Sequence, residues 1–210
     1  LLNYMDKVVV QTDYLKNYLK CKDVEKVLYG VEDDFYDLDQ YYKGEKNVLF
    51  FGDAKDYRGF DYIVHLVKNF DISLALRYYD EKYSSWKEKE GVLDYFRDKY
   101  DIKDVLKKSN IVVLPFKENP VHPPLSIVES LVSGRIVVVK KGNGNDEIVE
   151  DGKNGFVIET KEELVKKIEE LKKMENSKFK ELAEKFKKYS QKKFSWKDCV
   201  VKLNKIYGDL

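Results

Sequence analysis

The sequence predicts an α/β protein built on a parallel sheet flanked by helices. From Asn47 onward, short apolar runs suited to strands alternate with longer segments of helical periodicity, the pattern of strand–helix–strand units with right-handed crossovers. Ile136 to Val139 is an unbroken β-branched run, as expected of a parallel strand covered on both faces. The stretch 121–156 then compresses a whole unit into one segment: proline-opened helix, glycine stop, buried strand, glycine-rich loop with an acidic residue, tight turn.

Taken in order, Val8 to Gln11 reads as a short strand, and Asp13 as the cap of a helix running to about Cys21. Val27 to Gly30 reads as a second short strand, followed by an acidic, tyrosine-rich segment over 31–46. Asn47 to Gly52 is the first strand of the main domain, and Phe60 to Phe70 its helix. Ile72 to Tyr78 is a strand, Glu81 to Glu90 a charged helix, and Val92 to Phe96 an edge strand. Ile102 to Lys108 is a short helix before the strand Ile111 to Leu114. Pro123 and Pro124 open the next helix, where a missing N–H forfeits little. Leu125, Val128, Leu131 and Val132 recur at helical spacing, and Gly134 supplies the left-handed stop. Phe156 to Ile158 extends the chain before three helices near 161–175, 178–191 and 196–207.

Bulk properties exclude several classes. The 39 basic and 38 acidic side chains leave a net charge of +1, so no overall field selects nucleic acid as a partner. No apolar run approaches the roughly 20 residues that span a bilayer. Cys21 and Cys199 lie far apart and form no CxxC pair, which gives a reduced, cytoplasmic setting as the expectation. The 210 residues hold one full domain and a fragment, and the chain opens on Leu1 rather than Met, so an upstream part is expected.

The pieces PPLSIVES, SGRIVVV, GNGNDEIVEDG and KNGFVI resemble, in order and spacing, the donor-binding signature of glycosyltransferase family 4. The resemblance implies a Rossmann-like parallel sheet, the C-terminal half of a GT-B fold. DKVVVQTDYLKNYL and VLYGVEDDFYD resemble the tail of the N-terminal domain and its linker, giving three parts: 1–46, the donor domain 47–195, and a crossover helix 196–210 packing on 1–30. It also implies a nucleotide-diphosphate sugar as donor, an acceptor of unknown identity, transfer with retention of configuration, and no metal or other cofactor.

Candidate site residues follow. Gly52 ends a strand where a side chain would obstruct a pyrophosphate. Arg58 takes the place of the family's lysine and is the expected catalytic residue, a fixed charge steadying the departing diphosphate. Asp53 stands where the family commonly has arginine; the alternative is that it merely pairs with Arg58. The first helical amides, of Leu125 and Ser126, would face the phosphates, since Pro123 and Pro124 have none to give. Glu129 matches the family glutamate that accepts from the ribose hydroxyls, against the alternative of a solvent-facing helix side chain. The first glutamate of that motif falls on Val121, with Glu118 as a stand-in. His122 is a further candidate, although a plain loop histidine is favoured; His65 reads as structural.

The loop 142–147 lets a ligand approach the backbone. It is similar to a dinucleotide fingerprint but lacks the third glycine, so NAD is rejected. Asp37-Leu38-Asp39 reads as a solvated turn rather than a metal site. Twelve lysines against seven glutamates between Lys161 and Lys193 read as a solvated face, with anionic lipid the less favoured partner. The first functional expectation is a glycosyltransferase, with an N-terminal domain or second chain as partner. The alternative is a non-catalytic nucleotide-sugar-binding module.

Overall fold

A computed structural model describes residues 7–19, 23–38, 46–118 and 124–208. Six strands form one parallel sheet: β3 (Val48–Ala54), β4 (Ser73–Tyr79), β5 (Val92–Asp94), β6 (Ile111–Leu114), β7 (Ile136–Lys140) and β8 (Phe156–Ile158). Their order is β5-β4-β3-β6-β7-β8, and every pair is parallel. This is the α/β, Rossmann-like arrangement that the alternation predicts. β1 (Val8–Val10) and β2 (Val24–Lys26) form a separate two-stranded parallel sheet, joined by α1 (Asp13–Leu19).

The main sheet is buried because its sequence is apolar on both faces. All four residues of β6 and the first four of β7 are 0% exposed, leaving no polar face to hydrate. Helices α2 (Phe60–Leu66), α4 (Ile102–Lys107), α5 (Leu125–Val132), α7 (Lys161–Lys173) and α8 (Asn176–Lys193) cover it. α7 turns Leu164, Ile168 and Leu171 inward, and α8 turns Phe179, Ala183 and Phe186 inward. Their lysines stay outside, as helical amphipathicity requires.

The chain runs outward from β3 through β4 to β5, then returns to β6 on the other side of β3. The two crossovers leave β3 and β6 in opposite directions, which opens a crevice beyond their carboxyl ends.

Several elements differ from the sequence expectation. The second short strand is Val24–Lys26 rather than Val27 to Gly30, because its partner Val8–Val10 fixes the register. Val27 instead enters a small cluster with Cys199 and Ile206 of α9 (Trp196–Gly208), with Val9, Tyr29 and Leu203 packed around it. α1 is capped by Thr12, whose Oγ1 accepts from the Leu15 amide at 3.2 Å, not by Asp13. Cys21 lies outside the described residues. Residues 81–88 form a 3₁₀ helix rather than an α-helix. Three residues per turn place Tyr83 and Trp86 on one side, and both rings meet Phe60 edge-on at 4.9 and 5.2 Å. α2 ends at Leu66 instead of Phe70, since Asn69 and Phe70 both donate to the Leu66 carbonyl in a closing turn. The edge strand stops at Asp94, whose side chain caps the short helix α3 (Tyr95–Asp98).

Candidate functional site

A cavity of about 530 Å³ opens at the crevice between β3 and β6. Its lining includes Gly52 and Asp53 from β3, Arg58 from the following loop, and Arg77 from β4. Tyr95, Tyr100, Asp101 and Ile102 close one side; Phe116, Leu125, Ser126 and Glu129 close the other.

Each wall has a local cause. Gly52 holds φ +133°, a region that other residues rarely adopt, and a Cβ there would point into open space. Gly59, at φ +70°, ends the 3₁₀ turn carrying Arg58; a Cβ would sit 1.9 Å from the Pro115 carbonyl oxygen. That contact docks the Arg58 loop on the chain leaving β6. The Arg58 guanidinium lies 4.7 Å from the Phe116 ring centroid and 5.4 Å from that of Tyr57, a stacked placement suited to its planar cation.

α5 begins at Leu125 with Pro124 as its extended cap residue and no side-chain cap. Ile127 donates to the Pro124 carbonyl at 3.0 Å, so the amides of Leu125 and Ser126 stand at the helix end that lacks intrahelical acceptors. Ile127, Val128, Leu131 and Val132 are buried against the sheet. Leu125, expected on that inner face, is instead 50% exposed on the cavity lip, being a turn too early to reach the sheet.

Glu129 is half-buried one turn further along. Its carboxyl is pushed up to about 7, chiefly by burial and then by the nearby Glu32, against the pull of Lys103. Tyr29, from the segment after β2, is pushed up to about 12 by burial and by Glu129. Burial likewise raises the Tyr100 hydroxyl to about 12.

The sequence-chosen residues divide clearly. Gly52, Arg58, Leu125, Ser126 and Glu129 share the one cavity. Asp53 also lines it, but its ion-pair partner is Arg77, with Nε 3.5 Å from Oδ1, not Arg58. Glu118 is elsewhere: it is exposed on a neighbouring depression with Asp56, Asp61, Lys82 and Lys117. The Lys117 and Glu118 amides both donate to the Tyr57 carbonyl, which turns the chain away from the cavity. Val121, His122 and Pro123 lie outside the described residues, as does Asp39. His65 is a half-buried residue of α2.

The glycine-rich loop is not part of the lining. Asn143 and Asn145 tie it to the carbonyls of Lys117 and Phe116, and Glu147 reaches the start of α1. There it accepts from the amides of Asp13 at 2.6 Å and Tyr14 at 2.8 Å, and pairs with Lys26 at 2.8 Å. A carboxylate on two helix-start amides is a stable end in itself.

Sequence reasoning missed Arg77, Tyr95, Tyr100 and Asp101. Arg77 had a usable signal, its place near the carboxyl end of a parallel strand, where such sheets bind ligands. The tyrosines had none. Among the described residues, no group of three His, Cys, Asp or Glu side chains could hold a metal ion, and no helix is long and apolar enough to cross a membrane.

The fold and cavity define an α/β protein with a ligand crevice at the switch point of a parallel sheet. The chain belongs to the glycosyl transferases group 1 family, whose model matches residues 39–193. It is 29% identical over 219 residues to MJ1178, an uncharacterized glycosyltransferase of Methanocaldococcus jannaschii, covering 98% of this chain and 60% of that protein. HepE of Anabaena, solved with UDP-glucose, superposes with a TM-score of 0.77 at 15% identity over 99% of this chain and 65% of its own. Sucrose-phosphate synthase of Thermosynechococcus elongatus gives 0.74 at 16% identity, over 99% and 59%. Both likenesses concern the fold. The chain therefore spans about 60% of the length of the first relatives it matches.

Proposed function

We propose that the cavity binds a nucleotide-diphosphate sugar and that the chain is the donor half of a retaining transferase of the family 4 type. The observation carrying this reading is the gathering of Gly52, Arg58, Leu125, Ser126 and Glu129 on one cavity. In it the diphosphate meets the first amides of α5 and the Arg58 guanidinium, and the ribose hydroxyls donate to Glu129. As the bond from the sugar to the diphosphate breaks, charge develops on the leaving oxygens. Arg58 and the α5 end stabilise it without reorganisation; no step is assigned to a metal ion or other cofactor. The acceptor comes from a part of the protein outside 47–195 or from a second chain. Residues 1–46 and 196–210 are read as the stub of that part; the contacts of α9 with Val9 and Val27 support the division, although Val31, Phe35 and Leu38 pack into the core of the donor domain. A cytoplasmic location suits this reading, and membrane contact through the lysines of α7 and α8 is its less favoured extension.

Isothermal titration with UDP-, GDP- and ADP-glucose tests the donor site. Saturable binding of one donor, weakened about tenfold in Arg58→Ala and Glu129→Ala, is expected from the loss of charge-assisted hydrogen bonds. No heat with any of the three overturns the reading. One observation favours a non-catalytic module as the second reading: the buried carboxylate of Asp53 lies in the cavity where phosphate charge would approach. Donor binding with neither hydrolysis nor transfer, in the longest available form of the protein, would select it.

A further inference from the structure

We propose that Arg77, positioned by Asp53, is a second cation that grips the diphosphate of the bound nucleotide. The proposal rests on the donor-binding reading and adds a second cation to a lining that otherwise offers one guanidinium beside three carboxyl groups. Among the described lining residues, Asp53, Asp101 and Glu129 face Arg58 and Arg77. Without Arg77, a diphosphate would meet three carboxyl groups and one guanidinium.

The backbone places Arg77 for this purpose. Gly52 pairs with Leu76 and Ala54 with Tyr79, so the register slips between them and both Arg77 and Tyr78 stand opposite Asp53. Such a bulge re-aims side chains that a regular ladder would send to alternate faces. Here it brings Arg77 onto the cavity wall, its guanidinium 5.0 Å from the Tyr78 ring centroid.

Asp53 is 6% exposed, yet its Oδ1 has no hydrogen-bond partner. Arg77 Nε lies 3.5 Å from that oxygen, close enough for charge attraction and too far for a hydrogen bond. Oδ2 takes the Tyr57 hydroxyl at 3.3 Å. The Arg77 side chain is 49% exposed, and among the described residues no hydrogen bond engages it. A buried carboxylate thus anchors one edge of a guanidinium whose remaining donors stay available for a bidentate contact with phosphate oxygens.

The test is titration of UDP, GDP and ADP, with the matching phosphate-free nucleoside as control, into the wild-type chain and variants. For the diphosphate that binds, Arg77→Ala should lose about tenfold in affinity, the worth of a charged hydrogen bond, while the nucleoside is unaffected. Arg77→Lys should recover part of the loss. Asp53→Asn should weaken the diphosphate when Arg77 is present, because the anchor is gone. In the Arg77→Ala background it should strengthen it, because only a like charge is removed. That change of sign is not expected of a merely structural role. Diphosphate binding that is equal in wild type and Arg77→Ala, or an equal loss for nucleoside and diphosphate, overturns the assignment while leaving the donor site standing. Absence of all nucleotide binding in the wild-type chain overturns both.

Discussion

The two walls of the cavity are built on different principles. The α5 wall comes from one stretch of sequence: Leu125, Ser126 and Glu129 lie in the first turns of a helix capped by Pro124, whose other face is buried against the sheet. The opposite wall collects Asp53, Arg77, Tyr95, Tyr100 and Asp101 from β3, β4 and the segments after β5. Local periodicity therefore fixes the first wall, whereas strand register and one bulge fix the second. The glycine-rich loop adds a third behaviour, since its acidic residue serves the joint with α1 instead of either wall.

The largest expected effect comes from the turn that docks the Arg58 loop on the chain leaving β6. Gly59→Ala would place a Cβ 1.9 Å from the Pro115 carbonyl oxygen at φ +70°, and because the overlapping atoms are backbone there is no cheap relief. Urea denaturation should show a loss of about 3 kcal/mol or more, the sum of steric overlap and left-handed strain; a loss under about 1 kcal/mol would mean the Arg58 loop is not packed tightly on Pro115.

Next is Glu129, which sets the α5 wall's electrostatics. Its pKa in the folded chain is raised from 4.5 to about 7, so the folded state holds the proton more tightly than the unfolded one. That advantage is full below about pH 4.5 and is lost as pH rises through 7, leaving a cost of about 3 kcal/mol above it. Glu129→Gln should therefore stabilise the chain by roughly that amount at pH 8 and by almost nothing at pH 4, read from denaturation midpoints at the two values. If the ionised carboxylate accepts from the ribose, wild-type donor affinity should rise about tenfold from pH 6 to 8, and the glutamine variant should show a flat profile.

A smaller effect separates the loop from the walls. Glu147→Ala removes the acceptor at the start of α1 and one partner of Lys26, at a cost of about 1 kcal/mol. Nucleotide affinity should stay within about twofold, an ordinary margin for a residue outside the site; a large drop would bring the loop back into the cavity. The smallest effect belongs to the tyrosine wall. Tyr100→Phe removes a hydroxyl with no hydrogen bond among the described residues, and its thermal stability should move by no more than about 0.5 kcal/mol.

Much of the fold was legible because burial on both faces writes itself into composition. β6 and β8 fall at their expected bounds, Ile111–Leu114 and Phe156–Ile158, and α7 and α8 show their inner faces by spacing alone. Val24–Lys26 was not legible, since a strand reading VEK carries no apolar pattern and exists only through its ladder with β1. The 3₁₀ turn over 81–88 was hidden by its charged residues, and only the Phe60 ring explains why Tyr83 and Trp86 must lie three apart on one side.

The sequence by itself determined the parallel α/β plan and the helix that presents Ser126 and Glu129. Those features depend on which residues follow one another at fixed spacing, and spacing survives in a linear string. Only the tertiary structure decided that Asp53 faces Arg77, that Glu118 turns away, and that Glu147 serves α1. The first depends on a one-residue slip between β3 and β4, and such a slip in a strand exchanges one face for the other. The other two depend on loop hydrogen bonds between segments far apart in sequence, which local spacing does not record.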